Sequence, residues 1–179
     1  MEVKSKRVGI EVSGSHFRAV SIDEKDAIFA TLSAKVETAE DRGAQLVDFI
    51  KKLKTEFGDF DRVGISFPGL VDREAQRVAF SAQIPEHSDV DLVGEIRSAT
   101  GLSIVIENDA NAAAYGEFKL GAGRDSRNLF YITLGEGVGG AFIFNGEIWR
   151  GAAGFAGEFG YVPIDSEGTK LEEIGRAHV

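Results

Sequence analysis

The residues best suited to chemistry lie in one short stretch, Glu107-Asn108-Asp109-Ala110-Asn111. It follows the apolar run Ile104-Val105-Ile106 and opens an alanine-rich segment, 109–119, that reads as a helix. A carboxylate where a strand gives way to a helix can take a proton from a hydroxyl as that oxygen attacks a phosphoryl group. Asn108 or Asp109 could equally cap the helix, a role worth roughly 1 kcal/mol, so spacing alone leaves Asp109 with two readings.

Glycine-bearing turns supply the other candidates. Ser13-Gly14-Ser15-His16 and Gly135-Glu136-Gly137-Val138-Gly139-Gly140 each follow an apolar strand. Small residues there expose backbone N–H groups that can hold phosphate, although a plain hairpin needs the same residues. The second turn, richer in glycine, is the better cradle. The stretch Gly151 to Gly160 is small enough for backbone to approach a ligand closely. Within it, Glu158 could accept hydrogen bonds from ligand hydroxyls or stand as an exposed loop carboxylate. Pro68-Gly69 either offers backbone to a ligand or simply turns the chain.

These residues need an α/β framework. Residues 7–13, 16–23 and 27–36 read as three strands of a meander, and 40–56 as a helix with Leu46, Val47, Ile50, Leu53 and Phe57 on one face. A strand at 63–67, a helix at 90–99, a strand at 104–106 and the helix at 109–119 follow. Gly121 to Arg127 reads as a linker. Beyond it come strands at 129–134, 141–144 and 147–150, the last two joined by Asn145-Gly146, a strong hairpin signal. The strand and glycine turn at Val8 to Ser15 echo those at Phe130 to Gly137, which points to two similar lobes facing a cleft.

Composition narrows the function. The chain has 179 residues, a net charge of -9 and no cysteine, which excludes disulfides and thiolate zinc sites. His16, His87 and His178 are too far apart in sequence to show metal-ligand spacing. No basic cluster favours nucleic acid, and no apolar run is long enough to span a bilayer. The charged start lacks the apolar core of a signal peptide, so a cytoplasmic location is the default expectation.

Four segments together resemble the ROK family of repressors and sugar kinases: Gly64 to Asp72, Glu107 to Glu117, Leu134 to Gly140 and Gly151 to Gly160. The resemblance runs from about Val8 to Ile164. It implies an actin-like ATPase (ribonuclease H-like) fold with the first lobe complete at 1–120 and the second begun, but truncated, at 121–172. It implies a hexose as small-molecule partner, with Asp109 as catalytic base. Gly69, Asn108, Asp109, Glu158, Tyr161 and Glu172 would lie at the sugar. Ser13, Gly14, Ser15 and His16, with Gly135, Gly137, Gly139 and Gly140, would lie at the phosphates of ATP, neutralised by magnesium. In-line transfer to a sugar 6-hydroxyl would follow. The family commonly forms dimers, which makes a homodimer a candidate assembly.

Several positions depart from the family's kinase pattern. Ser13 stands in place of a glycine, His16 in place of a lysine, and Glu136 puts an anion beside the expected phosphates. Tyr161 replaces a histidine that serves a zinc loop, and that cysteine-rich loop is missing, so no zinc is expected; Leu171-Glu172 resembles its end. Such losses resemble the family's sugar-responsive repressors, which makes a sensor domain without its helix-turn-helix the alternative function. Glu173 to Val179 back-translates to a widely used sequencing adapter, so 173–179 is expected to be a non-native tail. Apolar faces around Leu129–Leu134 and Ala141–Ile148 are expected to be left uncovered, favouring aggregation.

Overall fold

The computed structural model describes residues 7–37, 41–135 and 137–171. The expectations for Glu136, Glu172 and the 173–179 tail lie outside these residues. The chain divides into two compact units, Met1–Asp109 and Ala110–Val179. The division falls at the start of a helix, rather than in the Gly121–Arg127 linker.

The first unit is built on strands β1 (Arg7–Val12), β2 (His16–Ile22), β3 (Ile28–Lys35), β4 (Arg62–Phe67) and β7 (Ser103–Asn108), in the spatial order β3-β2-β1-β4-β7. β1, β2 and β3 form an antiparallel meander, while β1, β4 and β7 run parallel. Parallel neighbours need crossovers, which helices α1 (Arg42–Phe57) and α2 (Leu92–Thr100) lie between. Alternate strand residues point to one face. Val8, Ile10, Val12, Val63, Ile65, Phe67, Ile104 and Ile106 are all buried in one core with Leu46, Phe49, Ile50, Leu53 and Phe57 of α1. Each large apolar side chain buried there contributes about 1.5–3 kcal/mol.

The helix ends follow local chemistry. Asp41 Oδ1 accepts from Ala44 N at 2.8 Å and caps α1. Asp91 Oδ1 accepts from Gly94 N at 2.9 Å at the start of α2, which Gly101 closes in the left-handed conformation. The first unit also holds a hairpin that the sequence does not signal. Strands β5 (Leu70–Asp72) and β6 (Arg77–Phe80) form a small separate hairpin. Strands of three and four residues are too short to show a period of two.

The second unit contains most of α3 (Asp109–Leu120) and a three-stranded antiparallel sheet in the order β10-β9-β8. These strands are β8 (Leu129–Leu134), β9 (Val138–Phe144) and β10 (Glu147–Trp149). Asn145 and Gly146 both have positive φ, the geometry that a two-residue hairpin turn demands. β9 starts at Val138, three residues earlier than the sequence expectation, so Gly139 and Gly140 are ladder residues. Of the expected long glycine turn, Gly135 and Gly137 are the described glycines left outside the strands. One face of the sheet packs Ala141 and Ile143 with Ala114 of α3. The other leaves Phe130, Ile132, Leu134, Phe144 and Trp149 exposed. Among the described residues no helix is long and apolar enough to cross a membrane.

Candidate functional site

β7 ends at Asn108 and α3 begins at Asp109 with no residue between them. Asn108 Nδ2 donates to Gly69 O at 2.9 Å and to Asp109 Oδ1 at 3.0 Å. Gly69, Asn108 and Asp109 are thus gathered at one end of the parallel strands, all three half-buried. Gly69 has a φ of +102°, and a Cβ there would come within 2.3 Å of Phe80 O. Only glycine fits, and its carbonyl is thereby fixed for Asn108.

Neighbours brace this corner. Glu107 Oε1 accepts from Asn108 N at 3.1 Å, and Glu107 Oε2 accepts from Arg73 Nη1 at 3.2 Å. Gln76 Oε1 accepts from Ile106 N at 3.4 Å. The β5–β6 hairpin thus grips the outer strand just before the candidate base. Sequence reasoning missed Arg73 and Gln76. The available signal was a polar run, Asp72 to Gln76, between two short apolar stretches.

The β1–β2 turn is tightly tied. Ser13 N donates to His16 O at 3.0 Å, and His16 N donates to Ser13 Oγ at 3.0 Å. Ser13 Oγ also donates to His16 O at 2.9 Å. The Ser13 hydroxyl, which stands where the kinase pattern has a glycine, is folded back onto the turn itself. Ser15 Oγ lies 2.9 Å from His16 Nδ1. Arg42, also missed in the sequence, donates from Nη1 to Ser13 O and Gly14 O and from Nε to Glu86 Oε1. The N–H of Glu86 and the Arg42 guanidinium hold the Glu86 carboxyl below its usual range. Burial pushes the adjacent His87 imidazole down from its ordinary value.

The remaining candidates lie in the second unit. Gly135 N donates to Gly137 O at 3.0 Å, and Gly139 N donates to Thr133 Oγ1 at 3.1 Å. A Cβ on Gly140 would fall 1.5 Å from Phe159 Cζ, and one on Gly157 would fall 2.4 Å from Gly140 O. The absent Cβ of Gly140 therefore makes room for Phe159, which the loop bearing Glu158 lays over β9. Glu158 and Tyr161 are exposed on that loop, with Lys170 Nζ 5.4 Å from the Tyr161 ring centre. Among the described residues no three His, Cys, Asp or Glu side chains gather as a metal site.

Comparison with known proteins places these features. The ROK family profile matches residues 7–172. A glucokinase of Streptomyces coelicolor is 32% identical over 161 residues, covering 90% of this chain and 50% of its own length. A xylose repressor of Bacillus subtilis is 31% identical over 169 residues, covering 91% of this chain and 44% of its own. Among solved structures, a ROK family glucokinase from Streptomyces griseus in complex with glucose and AMPPNP superposes with a TM-score of 0.78 at 32% identity, over 90% of this chain and 51% of that one. The fold is that of the actin-like ATPases, and the chain belongs to the ROK family. It spans about half the length of the curated relatives it matches.

Proposed function

We propose that the chain is a kinase-type sugar-binding protein, in which Asp109 is the base for ATP-dependent phosphorylation of a hexose hydroxyl. The observation that carries this is the Asn108 amide, which bridges Gly69 O and Asp109 Oδ1. That bridge holds a carboxylate and a backbone carbonyl at fixed positions, as hydroxyl recognition requires. Asn108 and Gly69 would bind and orient the sugar, and Asp109 would accept the proton of the attacking hydroxyl. Bound ATP, with magnesium as counter-ion, supplies the phosphoryl group. The β1–β2 turn fits this role, since Ser13 Oγ is engaged with His16 inside the turn.

The test is a glucose titration of the isotopically labelled chain, followed at the Asn108 and Asp109 amides, together with an assay for sugar phosphate in the presence of magnesium and ATP. Asp109→Asn should retain sugar binding and lower any phosphoryl transfer by about 10²–10⁴. Equal transfer by both proteins would sink the base assignment. Unmoved resonances throughout the titration would sink the sugar reading.

A second reading, a sugar-sensing domain that does not use ATP, is favoured by His16. It stands where the kinase pattern has a lysine, and its ring contacts Ser15. Sugar binding with no response to ATP would select it.

A further inference from the structure

Arg42 occupies an unusual position. It is the first residue of α1, where a cation opposes the helix dipole, and no acidic residue in the first turn offsets it. It is nonetheless buried, at 9% exposure, with Glu86 half-exposed beside it. Its bonds explain the placement better than the helix does. Nη1 donates to Ser13 O at 2.9 Å and to Gly14 O at 3.1 Å, while Nε donates to Glu86 Oε1 at 2.7 Å. One guanidinium thus ties the β1–β2 turn to a segment more than 70 residues further along, by way of α1.

Peptide geometry then sets where the turn's donors point. No peptide bond in the described residues is cis. In a trans peptide the C=O and the N–H point in opposite directions. Ser13 C=O shares a peptide unit with Gly14 N–H, and Gly14 C=O shares one with Ser15 N–H. Because both carbonyls converge on one nitrogen, both N–H groups face away from Arg42 on the same side. Neighbouring N–H groups turned to one side form an anion-accepting edge. Ser13 N–H is not part of it, because it donates to His16 O.

We propose that Arg42, braced by Glu86, is the positioning residue of the β1–β2 turn: by holding the carbonyls of Ser13 and Gly14 it presents the Gly14 and Ser15 N–H groups as a pair to a phosphate-class anion. Arg42 itself does not touch the anion. Its fork-shaped guanidinium is needed, because a lysine ammonium on a flexible stem cannot hold two carbonyls and a carboxylate in one fixed plane. This inference rests on the reading that the turn faces phosphate, and it does not depend on Asp109 or on the identity of the sugar.

The experiment is a titration of the labelled chain with magnesium and ATP, read at the Gly14 and Ser15 amides, for wild type, Arg42→Met, Arg42→Lys and Glu86→Gln. Wild type should show saturable shifts at both amides. Arg42→Met and Arg42→Lys should each weaken the apparent affinity by about tenfold or more, as for loss of a charge-assisted bond, and Lys should fail to rescue. Glu86→Gln, at a half-exposed position where the swap leaves the fold intact, should weaken it about two- to threefold. Wild-type shifts that spare Gly14 and Ser15, or variants that bind as wild type does, would overturn the proposal. So would full rescue by Arg42→Lys, which would leave only a charge effect. A glucose titration that fails while these shifts persist would sink the sugar reading and leave this inference standing.

Discussion

The two units solve the same local problem with different materials. Each has an antiparallel hairpin closed by a short turn, with Val12 paired to Phe17 in one and Leu134 to Val138 in the other. The first unit then buries Leu, Ile, Val and Phe side chains between its sheet and α1 and α2. Among the described residues the second buries Ala110, Ala114, Ala141 and Ile143, with Phe118 and Tyr131 packed partly buried against the last three, while Phe130, Phe142, Phe144 and Trp149 lie on the opposite face of its sheet. There Phe130, Phe142 and Phe144 stack in sequence and Trp149 and Phe159 meet them tilted or edge-on, yet Phe130 and Trp149 remain more than half exposed. Buried apolar area sets most of a domain's stability. The first unit therefore carries the stability, and the second relies on close backbone approaches and ring stacking.

The largest expected effect tests the stronger core. Leu53 is fully buried on α1. Leu53→Ala should cost about 2–5 kcal/mol, measured by urea unfolding. A loss under about 1 kcal/mol would show that α1 contributes little and would break the comparison. In the second unit the vulnerable point is a missing side chain. Gly140→Ala puts a methyl into the Phe159 ring, and overpacking of this kind costs about 1–3 kcal/mol. Its signature should be local: the Phe159 and Glu158 resonances shift while those of Ile65 and Leu53 stay in place. An unchanged Phe159 environment would mean that the ring does not depend on the glycine.

The sequence showed the frame more clearly than the site's supports. Long elements carried their own signals. The spacing of Leu46, Ile50, Leu53 and Phe57 marked α1, and Asn145-Gly146 marked the β9–β10 turn, because each states a backbone geometry directly. Gly69, Asn108 and Asp109 were legible as candidates because they close a strand and open a helix. Arg42, Arg73 and Gln76 were not legible. Their partners lie 28–44, 34 and 30 residues away, and a surface arginine and a buried one look alike in a sequence. Gly139 and Gly140 signal closeness without saying to what. The neighbours are a threonine hydroxyl and a phenylalanine ring.

A smaller effect sharpens the role of local capping in the first unit. Asp41→Ala removes the acceptor for Ala44 N and should cost about 1 kcal/mol. Because Asp41 adjoins Arg42, the same variant checks whether the turn–helix tie survives a frayed helix start. Gly14 and Ser15 amide positions unchanged alongside the stability loss would separate capping from positioning.

The smallest effect concerns acid. His87 is buried, and desolvation holds its imidazole below the ordinary value of 6.5. In the window between that value and the lower folded one, the unfolded chain binds more protons than the folded chain does. Stability therefore rises with pH there, is fully present above 6.5, and is lost as pH falls. Glu86 adds in the same direction at lower pH, since its carboxyl is also held below its usual range. Replacing His87 by Leu removes the first contribution and leaves the second. Urea midpoints taken across mildly acidic pH should fall less steeply for His87→Leu than for wild type, with the two curves running parallel at lower pH. Equal slopes throughout would mean that His87 does not titrate with unfolding. The pH response of the first unit would then rest on its carboxylates alone.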